Sequence, residues 1–362
     1  MLLSSVFIIG GIALLIFGSD LLIKGAVKIA QRLGLSPLVI GLTVVAFGTS
    51  APEMAISTVS ALRGSADIAV GNVVGSNIFN IWIVLGLSAA IIPLTVDKQI
   101  IRFDGPITIG ISILMFVFAL DLQLVWLESL VLFGGIITYV SVLIKLSEKN
   151  KIPETDAEKE APSLEAVNNP GRQVLIAITQ FVIGIGLLVG GSNVMVRGAV
   201  DIATALGVSE LVIGLTIVAA GTSMPELATS VVAAVRGERD IAVGNAIGSN
   251  IFNILAVLGL SGIVSFNPMI IDPKSVTTDI PVMIGVIVLC LPIFAARQTL
   301  NRIWGVVFVL FYIVYTIYLI VSNQNNPEAA SLWRMGLFSA VGASIVIAAA
   351  YMLISRRSLK NQ

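Results

Sequence analysis

Two glutamates, Glu53 and Glu226, stand inside long apolar stretches of this 362-residue chain, each directly after a proline, Pro52 or Pro225. If those stretches cross a bilayer, an ionisable side chain at that depth marks a functional site by default. Together the two acids supply two negative charges, enough to balance one divalent cation. Helix positions i, i+3, i+4 and i+7 share a face, which groups Ala46, Thr49 and Ser50 with Glu53, and Ala219, Thr222 and Ser223 with Glu226. Proline lacks an N–H and crowds the carbonyl four residues back, so Pro52 is expected to free the carbonyl of Gly48 and Pro225 that of Gly221. A second wall comes from GNVVGSNIFN, with Ser76 and Asn80 at i and i+4, and from GNAIGSNIFN, with Ser249 and Asn253. Calcium takes about 6 to 8 oxygen ligands, and two such helix pairs can supply most of them. Asn72, Asn77, Asn245 and Asn250 are explained equally well by amide bonds between helices, and Gly71, Gly75, Gly244 and Gly248 by close helix approach.

The elements that must position these groups are membrane helices. The chain is 57% apolar and only 12% charged, where a soluble domain carries about 25% charged residues. Apolar runs long enough for a hydrocarbon core recur along nearly its whole length. With no histidine and a single cysteine, Cys290, it cannot build a zinc or haem site, a Cys/His pair or a Ser/His/Asp triad. Any metal is therefore held by oxygen, and no nucleophile and base pair is visible for an enzyme. Zero formal net charge, with no basic tract among aromatics, gives no reason to expect nucleic acid as a partner.

Breaking the runs at charges, Pro and Gly gives spans near 2–30, 38–62, 68–92, 107–120 and 125–146, then 174–203, 211–235, 241–264, 276–295 and 304–321, and a last one at 335–354. The first, without a Lys or Arg ahead of it and with no small-residue cleavage site before Asp20, reads as a retained span. Residues 147–172, with Pro153, Pro162 and Pro170 among Glu, Lys and Asn, read as a flexible cytoplasmic linker. Asp20, Asp67, Glu128 and Asp240 fall near span ends, where a solvated charge is expected.

One offset, 226 − 53 = 173, aligns the two halves without a gap from the first span through the third, and between Ser36 and Ser88 it gives 38 identities in 53 positions. Five spans separate corresponding points, so the second copy enters the membrane in the opposite sense, as an inverted repeat. The expected architecture is an all-α polytopic membrane protein: a five-helix repeat over 1–146, the linker 147–172, an inverted five-helix repeat over 173–322, and an extra C-terminal transmembrane helix with a basic tail over 323–362. Lys and Arg favour the cytoplasmic side. With the N-terminus outside, Lys24, Lys28, Arg32, Arg236, Arg239 and the C-terminal Arg356, Arg357 and Lys360 fall inside, and only Arg63, Arg197, Lys274 and Arg334 stay outside.

The paired segments GTSAPEMAIS with GNVVGSNIFNI, and GTSMPELATS with GNAIGSNIFNI, resemble the two alpha-repeats of the sodium/calcium exchangers in the calcium/cation antiporter superfamily, most closely its prokaryotic members. The likeness covers ten of the eleven spans. It implies a ten-helix core in which the second, third, seventh and eighth helices hold ions while the first and sixth slide. The implied ligands are Ala46, Thr49, Ser50, Glu53, Ser76 and Asn80, with Ala219, Thr222, Ser223, Glu226, Ser249 and Asn253. The glutamates would serve both calcium and sodium, and the hydroxyl and carbonyl positions mainly sodium. The expected protein is a monomer in the cell membrane with no cofactor beyond the transported sodium and calcium ions. Where better-known exchangers carry an aspartate this chain has Asn253, which speaks against potassium dependence and removes a protonatable group. The expected function is electrogenic exchange of several sodium ions for one calcium ion by alternating access. A proton/calcium antiporter is the alternative, ahead of a passive cation channel, and the span 335–354 has no assigned role.

Overall fold

The computed structural model describes residues 2–149, 170–208, 210–323 and 327–360. Most of the expected linker, 150–169, lies outside the described residues. We number the membrane helices α1 (Leu2–Leu33), α2 (Pro37–Thr49 and Ala51–Leu62), α3 (Ala66–Ile91), α4 (Ile100–Asp121), α5 (Trp126–Lys149), α6 (Pro170–Ala205), α7 (210–221 and Met224–Val235), α8 (Arg239–Val264), α9 (Ser275–Arg297), α10 (Arg302–Ser322) and α11 (Pro327–Lys360). Among the described residues nine are long and apolar enough to cross a membrane, the bent pair of α2 makes a tenth, and the broken α7 stands at the equivalent place in the second half. With α2 and α7 each counted as one crossing, the ends of α5 and α11 fall on one side of the molecule, called here the linker side.

Several spans run beyond the limits read from their apolar stretches. Helix α4 begins at Ile100, not near 107, and takes in Arg102 and Asp104. Asp104 ends no helix because its carboxylate is fully buried and accepts hydrogen bonds from Tyr139 (2.9 Å) and Gln99 (3.2 Å). Its counterpart at the start of α9, Asp279, accepts one from Tyr315 (3.0 Å). Helices α5 and α6 likewise continue into both ends of the expected linker, to Lys149 and from Pro170.

The repeat is carried into three dimensions by local irregularities at matching places. Wide π-helical turns occupy Gly41–Val45 and Gly214–Val218, and again Asn80–Leu85 and Asn253–Leu258; such turns appear mostly at functional sites. Two short antiparallel pairings tie the copies together: Leu94–Thr95 (β1) with Thr299–Leu300 (β4) on the linker side, and Gln123–Leu124 (β2) with Met269–Ile270 (β3) on the other.

Helices α1 and α6 form one antiparallel pair. Gly11, Gly18 and Gly25 on α1 and Gly184, Gly191 and Gly198 on α6 recur every seven residues, and a Cβ at any of them would meet backbone of the other helix. Small residues permit that approach. Lys28 to Gln180 (3.4 Å) and Arg32 to Gln173 (2.6 Å) add polar ties at the linker-side end. The core lies instead between α2, α3, α7 and α8, where nearly every residue from Ile241 to Leu258 is buried. Helix α11 packs against α9 and α10: Leu337, Val341 and Ala348 are buried and the Ser355 hydroxyl donates to the Ala296 carbonyl at 2.9 Å.

Candidate cation site

Helix α2 bends by 48° between Thr49 and Ala51. Ser50 leaves the helical region there (φ −80°, ψ 7°), and so does Ser223 in α7 (φ −90°, ψ 9°). The breaks are short, Ser50 in α2 and Thr222–Ser223 in α7, because Pro52 and Pro225 start the second half-helix at positions where no N–H is needed. Glu53 and Glu226 thus fall in the first turn of a half-helix, where the dipole favours a negative charge. Both are completely buried, and neither forms an ion pair among the described residues.

The hydroxyls cross between repeats. Ser223 donates to Glu53 Oε1 at 3.0 Å and Ser50 donates to Glu226 Oε1 at 3.2 Å, while Ser76 reaches Glu53 Oε1 at 3.4 Å. Ser249 lies 3.4 Å from Thr49 Oγ1 instead. Thr49 in turn donates to Asn245 Oδ1 at 3.0 Å and Thr222 to Asn72 Oδ1 at 3.4 Å.

The four asparagines left open by the sequence now have positions. Asn72 and Asn245 brace the broken helices: Asn72 donates to the Glu53 carbonyl (3.4 Å) and Ser57 Oγ (2.9 Å), and Asn245 to the Glu226 carbonyl (3.3 Å) and Ser230 Oγ (3.0 Å). Asn77 and Asn250 sit on the pseudo-twofold axis, each donating to the other's backbone carbonyl at 3.3 Å. Their amide oxygens accept from Asn253 (3.0 Å) and Asn80 (3.1 Å) respectively. Asn253 therefore bonds across the axis to Asn77, and not to Asn80 as its position in the repeat suggests. The partner is thus the asparagine three residues earlier on the opposing helix.

This network uses up the donors and leaves acceptors. Glu53 Oε2, Glu226 Oε2, Asn80 Oδ1 and Asn253 Oδ1 are buried with no hydrogen-bond partner among the described residues. Buried acceptors without donors are costly, and four of them around two carboxylates form an oxygen-only set suited to hard cations. The Gly221 carbonyl, which Pro225 frees from the helix, accepts a hydrogen bond from Ser192 of α6 and so is not an open ligand. The Ala219 carbonyl keeps only a 3.5 Å contact from Thr222, whereas that of Ala46 is bonded by Ser50 N at 3.0 Å and Thr49 Oγ1 at 3.3 Å.

The two copies differ most in what covers them. On the side away from the linker a cavity of about 440 Å³ runs between α3 and α7 past Gly71, Asn72 and Gly75 down to Ser76, Ala219 and Thr222, with Asp279 and Tyr315 in its wall. Ala219 is exposed and Thr222 half-buried. On the linker side the equivalents Ala46, Thr49, Asn245 and Ser249 are all completely buried. Glycine explains the seal. A Cβ at Gly41, Gly244 or Gly248 would stand against the facing backbone of α8 or α2, whereas at Gly214, Gly71 and Gly75, their repeat partners, nothing lies within 4 Å.

Comparison with known proteins agrees with this architecture. Residues 3–145 and 176–321 match the family described as sodium/calcium exchanger protein. CaxA of Alkalimonas amylolytica is 39% identical over 89% of this chain and 100% of its own length. The sodium/calcium exchanger MaX1 of Methanosarcina acetivorans is 33% identical over 85% of this chain and 96% of its own. Among solved structures, the sodium-calcium exchanger NCX_Mj superposes with a TM-score of 0.73 at 32% identity, covering 88% of this chain and 99% of that one. The chain belongs to the sodium/calcium exchanger family.

Proposed function

We propose that this protein is a secondary-active antiporter that moves calcium across the cell membrane in exchange for sodium, through one site reached alternately from each side. The observation that carries the reading is a pair of fully buried carboxylates, each with an oxygen that no donor satisfies, lying between a cavity that reaches Ser76, Ala219 and Thr222 from one side and a sealed set of equivalents on the other. The ligand set is Glu53, Glu226, Asn80 and Asn253 at the centre, with Ser50, Ser76, Ser223 and Ser249, the hydroxyls of Thr49 and Thr222, and the carbonyls of Ala46 and Ala219 around them. Calcium neutralises both carboxylates, and so do sodium ions binding in its place. An empty site would carry two uncompensated charges through a low-dielectric region, which opposes the conformational change and couples the two fluxes.

The N-terminal side, where the cavity opens, is outside in this reading, and the linker side is cytoplasmic. The protein acts as a monomer with no resident cofactor. Calcium-45 uptake into sodium-loaded proteoliposomes tests the function: uptake should require the outward sodium gradient and collapse without it. Uptake driven by a proton gradient and indifferent to sodium would establish the proton/calcium alternative, and uptake with no gradient of either ion a channel.

A further inference from the structure

Among the described residues, one ion pair joins the α1–α6 pair to the core, and it has no twin in the other copy. Asp20, in the linker-side half of α1, binds Arg236 in the turn between α7 and α8, and also Lys24 one helical turn along at 2.9 Å. The repeat offset maps Asp20 onto Asn193 (20 + 173 = 193) and Arg236 onto Arg63 (236 − 173 = 63). The arginine is retained in both copies, whereas the acid is not. Asn193 carries no charge, and its amide donates to the Val189 carbonyl of its own helix at 2.9 Å. Arg63 is exposed and pairs with no acid among the described residues.

The pair joins two bodies that alternating access requires to move. Helices α1 and α6 are held together by the glycine seam described above, so they shift as a unit, and Asp20 rides on that unit while Arg236 belongs to the core. The Asp20 side chain is only 19% exposed and that of Arg236 38%, so the pair is partly screened from solvent, where ion pairs keep more of their strength. It closes on the side where α2 and α8 are sealed. Breaking it leaves Arg236 beside Lys24 and Lys28 in the linker-side groove, with Glu238 as the one acid lining that groove.

We propose that Asp20 and Arg236 form a one-sided latch that stabilises the state closed on the linker side, making the two half-cycles of the transporter unequal although the repeats that build the site are nearly identical. The latch rests on the alternating-access reading above. It forms when the linker side closes and must break for that side to open. The mirror state has no equivalent, because residue 193 is an amide.

Two pseudo-equivalent reporters test this in full-length protein on a Cys290→Ser background: Ile68→Cys, at a position 55% exposed beside the open cavity, and Ile241→Cys, completely buried on the sealed side. Each is labelled with a membrane-impermeant thiol reagent from its own side. In the parent, Ile68→Cys should react fast and Ile241→Cys slowly, with rates that respond to sodium in opposite directions. If sodium moves neither, alternating access fails and the latch with it. If they move, Asp20→Asn should raise the Ile241→Cys rate about fivefold, as a partly screened pair of about 1 kcal/mol implies, without speeding Ile68→Cys. The swap Asp20→Arg with Arg236→Asp should restore the parental rate. Asn193→Asp, which gives the Arg63 side an acid at the position equivalent to Asp20, should favour the mirror state, speeding Ile241→Cys and slowing Ile68→Cys, even if Asp20→Asn fails to fold. An unchanged Ile241→Cys rate in Asp20→Asn, a swap that does not restore it, both reporters speeding up together, or an Asn193→Asp variant without effect would overturn the latch.

Discussion

Replacing Gly75 and Gly248 separately by alanine distinguishes a transporter that exchanges two mirror-related states from one rigid binding protein. The two positions are repeat equivalents (75 + 173 = 248). A Cβ at Gly248 would stand 2.7 Å from the Leu42 carbonyl oxygen, 2.8 Å from Leu42 Cα and 2.9 Å from Ala46 Cβ, while at Gly75 it meets nothing within 4 Å. Overpacking a tight contact costs about 1–3 kcal/mol, which is about a 5- to 150-fold shift in an equilibrium constant. Gly248→Ala therefore disfavours the present state. Gly75→Ala leaves it alone but, once the α3–α7 side closes, sets the new methyl against the backbone of Leu215 and Ala219, the counterparts of Leu42 and Ala46. The measurements are equilibrium calcium binding in detergent and sodium-driven calcium-45 uptake in proteoliposomes. Gly75→Ala should bind calcium like the parent yet lose uptake by at least about fivefold, and Gly248→Ala should lose apparent calcium affinity from the open side. Equal behaviour of the two variants, or full uptake by Gly75→Ala, refutes the mirror-state reasoning.

Glu53→Gln and Glu226→Gln should each abolish exchange while the protein still purifies as a folded species. The lost carboxylate leaves a divalent ion half-compensated where a unit charge pair is worth about 4 kcal/mol at an effective dielectric of 20 and about 4 Å, and tracer uptake reads the loss. Asn253→Asp puts a third like charge into one buried site. Exchange by that variant should be more strongly inhibited by protons than exchange by the parent, with the parent indifferent to potassium, as rates against pH and added potassium show. For the orientation, single cysteines on the Cys290-free background should be labelled from outside intact cells beside Arg63 but not within 147–172. External labelling of that segment sinks the topology.

The periodic parts of this molecule were readable because membrane and repeat both write in sequence. Lipid demands long apolar helices, and the 173-residue offset exposes the twofold relation without coordinates. The glutamates stood out because a charge has no bland reason to occur twice at the same depth. What stayed hidden depends on distances between segments far apart in the chain. Asn72 and Asn77 have the same residue type and lie in the same motif, yet one braces a broken helix and the other sits on the axis. Only the facing helix decides between them. Asp104 falls outside the span 107–120 read from hydropathy because hydropathy cannot see Tyr139, which binds it from the next helix. The carbonyl of Gly221 seemed free for the same reason, since its acceptor capacity is claimed by Ser192 on α6. Asp20 read as a solvated charge because its partner lies 216 positions away (236 − 20 = 216).

Duplication also explains how one sequence supports two access states. The residues at the centre of the proposed site are the same in both copies, so in this reading exchanging the roles of α2–α8 and α7–α3 would keep the same oxygens around the ions. What can differ is the covering. Glycines at equivalent places allow either side to seal by backbone contact, so neither seal requires a bulky gate. Selection between the states then falls to the residues that break the repeat, at the edges of the site and not within it. The Asp20 and Asn193 positions are one such break, and the stripe Lys28 and Arg32 opposite Asp201 and Ala205 is another. The chain thus separates two tasks: identity between the copies preserves the cation site through the transition, and difference between them sets which way it faces at rest.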